Sequence, residues 1–320
     1  MRLIRQCSAL PLELQGMVFA LGNFDGVHRG HRAVVACAVE EARRRGTFAA
    51  VMTFSPHPRL FFCPDTLPFA LSTLRTKICL LRELGVEVVY ALRFNQALAS
   101  MSAQDFIQTL LVRDLAVAHV VVGCDYVFGH NRGGDVTFLA EAAACYGFGL
   151  TVVEPIIEEE VEPCSSTRVR QTLAQGDLAR VNTILGRPWL IEGRVIAGQA
   201  RGRKLGFPTA NIDMKAWCRP ARGVYAVRVG LTQEGGGVIW SDGVANYGCR
   251  PTFGGAPDVL EVHLFDFSGC LYGARLLVEF IDYVRSERVF SGSEALRLQI
   301  IQDIQCVRRI LAAGSAGRAL

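Results

Sequence analysis

The chain has 320 residues, 50% hydrophobic and 20% charged, with a formal net charge of +4; that length allows two domains, each able to bury a core. Its basic residues are dispersed, with Arg43-Arg44-Arg45 as the one short run, so no nucleic-acid partner is expected, and the mild excess suits anionic small molecules. No apolar run approaches about eighteen residues, Pro11, Glu13 and Gln15 break the stretch after Arg2 and Arg5, and the 11 cysteines include no C-x-x-C pair. No membrane span, signal peptide or Cys/His metal cage is therefore expected, and Cys37, Cys79, Cys145 and Cys306 read as buried, reduced thiols of a cytoplasmic protein.

Apolar runs at Val18–Leu21, Ala49–Phe54, 86–93, His119–Gly123 and 149–154 alternate with segments at 32–45, 73–84, 103–112 and Val136–Tyr146. In the latter, apolar residues recur at helical spacing. This alternation predicts a Rossmann-like α/β domain, a parallel sheet with helices on both faces. Its ligands should lie beyond the C-terminal ends of the strands. The first run ends at Gly22-Asn23-Phe24-Asp25-Gly26-Val27-His28-Arg29-Gly30-His31. The glycines let backbone approach a ligand closely. His28 and His31 share one face of a helix's first turn, where free N–H groups and the helix dipole favour an anion. Two imidazoles there can hold phosphates during transfer; on an ordinary polar turn they would be surface histidines. The second run ends at Pro56-His57-Pro58, and the fourth runs into Asp125 and Phe128. Pro56, Pro58, Phe62 and Phe128, with His57 beside them, offer flat apolar faces, although phenylalanines commonly just fill a core.

Helical patterns at 167–174 and 177–185 stop at Gly186-Arg187-Pro188, since proline cannot continue a helix. Domains of 1–186 and 187–320 are expected. Ser165-Ser166-Thr167-Arg168-Val169-Arg170 combines a serine cap with free N–H groups and cations; a bare cap with two exposed arginines is the alternative. Short runs around Val195 and at 225–229, 238–245, 260–265 and 276–281, separated by Gly and Pro, predict an antiparallel barrel. A helix over 293–311 closes the chain. Gly198, Arg203 and Gly206 belong to a basic glycine-rich loop able to wrap phosphates. It leads into Phe207-Pro208-Thr209-Ala210-Asn211, whose Thr and Asn oxygens suit Mg²⁺; a polar connecting loop is the plainer reading. Glu261 alternates with apolar Leu260, Val262 and Leu264 and so points away from the core. By pattern alone it is a solvated strand carboxylate.

Three of these blocks resemble one family. The 22–31 block is similar to the nucleotidyltransferase signature in its flavin-nucleotide-forming branch, and the 165–170 block to that branch's second nucleotide motif. The stretch 206–211 resembles the riboflavin kinase motif. In this order, over nearly the whole chain, they resemble the bacterial bifunctional riboflavin kinase/FMN adenylyltransferase (FAD synthetase) family. The resemblance implies a riboflavin kinase barrel, phosphorylation of riboflavin to FMN with ATP, then adenylylation of FMN to FAD with release of pyrophosphate. It implies Mg²⁺ as cofactor, riboflavin, FMN and ATP as partners, and a monomer or weak homo-oligomer. By resemblance His28 and His31 serve adenylyl transfer, with Gly22, Asn23, Phe24, Asp25, Asp125, Ser165, Ser166, Thr167, Arg168 and Arg170 around its ATP. Pro56, His57, Pro58, Phe62 and Phe128 would hold the flavin. In the barrel, Gly198, Arg203, Gly206, Pro208, Asn246 and Arg250 would surround ATP. Thr209 and Asn211 would hold Mg²⁺, Glu261 would be the base, and Arg285 and Glu287 would line the flavin. The chain departs from the family at Pro163, where relatives generally carry a basic residue, with Glu162 beside it. Cys124, Val127 and Cys270 replace commonly acidic or polar residues. Two alternative readings remain: a riboflavin kinase whose adenylyltransferase half is weak or inactive, and a flavin-binding regulatory module. A pure binder would not need Thr209, Asn211 and Glu261 together.

Overall fold

The computed structural model describes residues 1–5, 10–65, 67–158, 162–198, 201–233, 237–248 and 258–315. By backbone contact the chain divides into two compact units, Met1–Thr66 with Lys77–Ser165, and Leu67–Thr76 with Ser166–Leu320.

In the first unit, β1 (Arg2–Ile4), β2 (Val18–Leu21), β3 (Ala49–Phe54), β4 (Val88–Leu92), β5 (His119–Gly123) and β6 (Gly149–Val153) form one parallel sheet in the order β1-β4-β3-β2-β5-β6. The helices of this half are α1 (Arg29–Arg45), α2 (Pro58–Phe62), α3 (Leu74–Glu83, in this unit from Lys77 onward), α4 (Gln96–Ala99), α5 (Ala103–Asp105) and α6 (Val136–Tyr146). Phe19, Leu21, Met52, Tyr90, Val120 and Val122 share a core with Ile107 and Leu139. The alternate residues Val18, Ala20, Val51, Val89 and Val121 are equally buried, and α1 packs on β2, β3 and β5. Burial on both faces explains why these strands read as continuous apolar runs. The short β7 (Ile157–Glu158) and β8 (Glu162–Pro163) pair antiparallel, with Pro163 opposite Ile157.

One expected helix and the expected burial of four cysteines differ from what forms. The helix expected at 103–112 is a single α-turn followed by a π-helix at Phe106–Asp114. Cys37, Cys79 and Cys145 are exposed and Cys306 half-buried; among the described cysteines, Cys164 and Cys218 are the buried ones. The reason is phase. On α1 the buried stripe is Val34, Val35, Ala38 and Ala42, and on α6 it is Leu139, Ala142 and Ala143, so those cysteines fall on the solvent side of otherwise apolar helices.

In the second unit, α7 (Ser166–Gln175) and α8 (Leu178–Leu185) precede β9 (Trp189–Ile196), α9 (Arg201–Lys204), β10 (Ala210–Asp213), β11 (Gly223–Thr232), β12 (Val238–Gly248), β13 (Val259–Leu264), β14 (Arg275–Ser286) and α10 (Ser293–Ser315). The strands close into a barrel in the order β10-β13-β12-β11-β14-β9, every pairing antiparallel. Inside lie Ile212, Leu260 and Tyr247, adjacent in register. α10 packs outside, with Val307 and Leu311 on Ala226 and Phe265.

Candidate functional site

In the first unit the strand order reverses between β2 and β5, since the chain fills β3 and β4 on one side before crossing to β5. Ligands of doubly wound sheets sit at the C-terminal ends of the strands flanking such a switch point. The 22–31 turn leaves β2 there, and exposed Asp125 follows β5. The turn is tight: Phe24, Gly26 and Val27 have φ of 48°, 79° and 46°. Phe24 and Asp25 are buried beneath it, while the Asn23 side chain is exposed and Gly22 half-buried.

His28 is the N-cap of α1; its Nδ1 accepts the His31 N–H at 3.3 Å. The imidazoles stack with centroids 3.6 Å apart and planes 24° off parallel. His28 is buried and His31 half-buried, so the pair stands on the helix start where an anion is favoured. A Cβ on Gly30 would stand 3.2 Å from His28 Nδ1 and 3.5 Å from the Cys164 carbonyl oxygen. The tight approach is to the imidazole, so that glycine leaves room for the His28 ring, while the Cys164 carbonyl passes at ordinary contact distance. Ser165 ends the first unit. Ser166, Thr167, Arg168 and Arg170 open α7, with Arg168 buried, Thr167 exposed, and Arg170 donating from Nε to the Phe69 carbonyl at 2.8 Å with its guanidinium over that ring.

The proposed flavin residues part company. His57 caps α2, accepting the Arg59 N–H at 3.2 Å, with Pro58 at the first helical position. Pro56 is exposed, and Phe62, 62% exposed, meets Phe61 and Phe94 edge-on. Phe128 instead lies in the core among Phe106, Tyr126 and Phe138.

One residue of this region was missed in the sequence. Lys77, 5% exposed on α3, puts Nζ 2.5 Å from the Asn23 carbonyl oxygen and 3.2 Å from Thr53 Oγ1. Burial pushes its pKa down to about 8, with the nearby Asp25 opposing the shift. A lysine on an amphipathic helix reads as solvated, and no local pattern marks it otherwise.

On the barrel, Glu261 pairs with Asn211 on β10 and Asn246 on β12. Paired residues share a face, so the three form one row on the outer surface, opposite buried Leu260 and Val262. Asn211 is buried although it faces outward, because Gly198 lies against its amide; a Cβ there would collide with it. Gly206 has φ 90°, a left-handed value that favours glycine. Arg203, Gly206 and Pro208 are exposed and Thr209 half-buried. His263, two residues along from Glu261 and therefore on the same strand face, places Nδ1 2.8 Å from the Pro208 carbonyl oxygen. The Glu287 carboxylate lies over Gly248, where a Cβ would overlap it. Arg285 donates from Nε and Nη2 to the two Asp303 carboxylate oxygens at 2.9 and 2.6 Å. Arg250 lies outside the described residues.

Fold and site define the class: an α/β nucleotide-binding domain followed by a β-barrel domain. The sequence matches the FAD synthetase family profile over residues 10–168 and the riboflavin kinase profile over 185–311. The bifunctional riboflavin kinase/FMN adenylyltransferase of Escherichia coli K12 is 43% identical over 307 residues, covering 95% of this chain and 96% of the relative. That of Pseudomonas fluorescens is 43% identical over 319 residues, covering 99% and 100%. A crystal structure described as a macrolide-efflux protein from Streptococcus pneumoniae has the same fold, with a TM-score of 0.84 at 29% identity over 96% of this chain and 99% of its own. Among the described residues no helix is long and apolar enough to cross a membrane. The chain belongs to the bifunctional riboflavin kinase/FMN adenylyltransferase family.

Proposed function

We propose that this protein makes FMN from riboflavin and ATP, and then FAD from FMN and a second ATP. The observation that carries the reading is the coincidence, in one chain, of the His28–His31 pair at the sheet's switch point and the Asn211–Glu261–Asn246 row on the barrel. Relatives named for both activities match over the full length, so neither a regulatory module nor a half-dead enzyme is favoured.

In the adenylyl step an FMN phosphate oxygen attacks the α-phosphorus of ATP. The new P–O bond forms as the bond to the β-phosphate bridge breaks, and pyrophosphate leaves. No protein nucleophile is required; alignment and charge stabilisation suffice. His28 and His31 donate to phosphate oxygens at the start of α1. Asp125 receives the adenosine end, and the serines and arginines of the 165–170 block grip ATP phosphates. Pro56, His57, Pro58 and Phe62 face the flavin ring.

In the kinase step Glu261 takes the proton of the terminal ribityl hydroxyl as that oxygen attacks the γ-phosphorus, and ADP leaves. The glycine-rich loop covers the phosphates. Thr209 and Asn211 fit Mg²⁺: both offer neutral hard oxygens, and Asn211 is held by the close approach of Gly198. Among the described residues no three His, Cys, Asp or Glu side chains gather as a metal cage, so phosphates and water would complete the shell, as Mg²⁺ prefers. When bound, the ion would neutralise charge on the transferring phosphoryl group. The protein is further proposed to act in the cytoplasm as a monomer or weak homo-oligomer.

The test is incubation of purified protein with riboflavin, ATP and Mg²⁺, with flavins separated by chromatography. FMN and then FAD are expected; FMN alone would restrict the reading to the kinase, and neither would overturn it. The double variant His28→Ala, His31→Ala should lose FAD formation by at least about 10²-fold while FMN formation stays within about twofold. Parallel loss of both products would refute separate sites.

A further inference from the structure

Lys77 takes part in no step above, yet it grips the most strained backbone at the site. Phe24 and Val27 are non-glycine residues at φ 48° and 46°. Such conformations persist only where their surroundings over-determine them. Two donors converge on the carbonyl immediately before them: Lys77 Nζ at 2.5 Å and Thr53 Oγ1 at 2.9 Å from Asn23 O. They also touch each other, Nζ lying 3.2 Å from Oγ1. Lys77 is 5% exposed and Thr53 0%. An ammonium has three donors and no acceptor, so burying one under a turn is costly unless carbonyls and hydroxyls receive it.

We propose that Lys77 is a positioning residue for adenylyl transfer: with Thr53 it pins the Asn23 carbonyl, and so holds the 24–28 turn in the conformation that presents His28 and His31 to the phosphates. The proposal rests on the functional reading above and adds to it a group that touches no substrate. The lysine remains largely protonated at neutral pH even though burial lowers its pKa to about 8, and so keeps the donors the turn requires.

Lys77→Met keeps the length and apolar stem and removes the donors; Lys77→Arg keeps charge and donors; Thr53→Val removes the second donor at nearly constant shape. For each, kcat and KM for FAD formation from FMN and ATP are measured, with riboflavin phosphorylation and thermal unfolding as controls. Small misplacement of catalytic groups costs about 10²-fold. Lys77→Met should therefore lower kcat by about that factor with KM for ATP within about threefold, while riboflavin phosphorylation is unchanged. Lys77→Arg should recover part of the loss, and Thr53→Val should show a smaller loss in kcat of the same kind. A folded Lys77→Met with kcat within about threefold of the unmodified protein overturns the proposal. So does a loss that follows only the fraction unfolded. If Lys77→Met does not fold, Thr53→Val decides: a fall in kcat of about tenfold supports the proposal, and an unchanged kcat ends it. An unmodified protein that makes no FAD from FMN would instead overturn the functional reading, and the proposal with it.

Discussion

Glu261 shows how one residue's meaning depends on its neighbours. Alternation with Leu260 and Val262 put it on the outer face, but could not separate a solvated carboxylate from a base. Register adds what alternation could not: Asn211 and Asn246 flank it on adjacent strands, from other segments of the sequence, which supports the proposed base. Glu261→Gln preserves shape and hydrogen bonding but cannot take a proton. It should lower single-turnover FMN formation by about 10²–10⁴-fold with nucleotide affinity little changed, and FAD formation from supplied FMN should continue. A rate within a few-fold of the unmodified enzyme would show that phosphoryl transfer rests on positioning and Mg²⁺ alone. Other residues divide along the same line. The helix-start placement of His28 and His31 was legible because glycine spacing, capping and helix start are all local. Phe128 was ambiguous because a phenylalanine in a core and one in a ring slot look alike in sequence. Lys77 was invisible because its burial is decided by the turn lying over it.

At the scale of elements, most boundaries were legible for local reasons. α1 begins at its His28 cap and stops at Gly46, whose φ of 67° is left-handed, with Arg43, Arg44 and Arg45 in its last turn, where cations suit the helix dipole. Strands β2, β3 and β5 lie where continuous apolar runs predicted them. β1 and β10 were missed: each is three or four residues long and owes its existence to a partner strand. α10 was expected from its periodicity, but its tether was not. Arg285 of β14 meets Asp303 of α10 through a two-pronged ion pair, the side chains 14% and 7% exposed, with Gln299 donating to the same carboxylate at 2.9 Å. That ion pair ties α10 to the barrel strand β14. Arg285→Ala leaves Asp303 buried without its cation, at a cost of about 3 kcal/mol. The expected result is a lower urea midpoint, with KM for riboflavin within about twofold at temperatures where the variant is folded. An unchanged midpoint with a KM raised about tenfold would return Arg285 to the flavin.

At the scale of the molecule, the change from alternating helices and strands to short strands announced two domains, and Pro188 suggested where the second begins. Contacts draw the division differently. α7, α8 and the strap Leu67–Thr76 group with the barrel, and the barrel's first strand holds α8 and the strap directly. Trp189 donates its indole N–H to the Leu71 carbonyl at 3.1 Å and its backbone N–H to Asn182 Oδ1 at 3.0 Å. Glu192, buried on the same strand, accepts from Thr73 Oγ1 at 2.7 Å and lies 3.5 Å from Arg75. Asn182 also donates to the Phe280 and Ile281 carbonyls. No sequence period reveals such a strap, since a chain that leaves one unit for ten residues and returns keeps the pattern of its surroundings. The kinase half is therefore predicted to need more than its barrel. A fragment of residues 166–320 should phosphorylate riboflavin with Mg²⁺-ATP. A fragment of 187–320 should unfold at a lower urea concentration, since each hydrogen bond lost with α8 is worth about 1 kcal/mol and a buried donor left unpaired costs about 1–3 kcal/mol. Both lack the strap, so both should be less stable than the same unit in the whole protein. Adding a synthetic peptide of residues 67–76 should raise the midpoint of the longer fragment, because a ligand that binds only the folded state stabilises it by mass action. Equal midpoints for the two fragments, unmoved by the peptide, would mean that the barrel is complete from Arg187 and that α7, α8 and the strap merely lie against it.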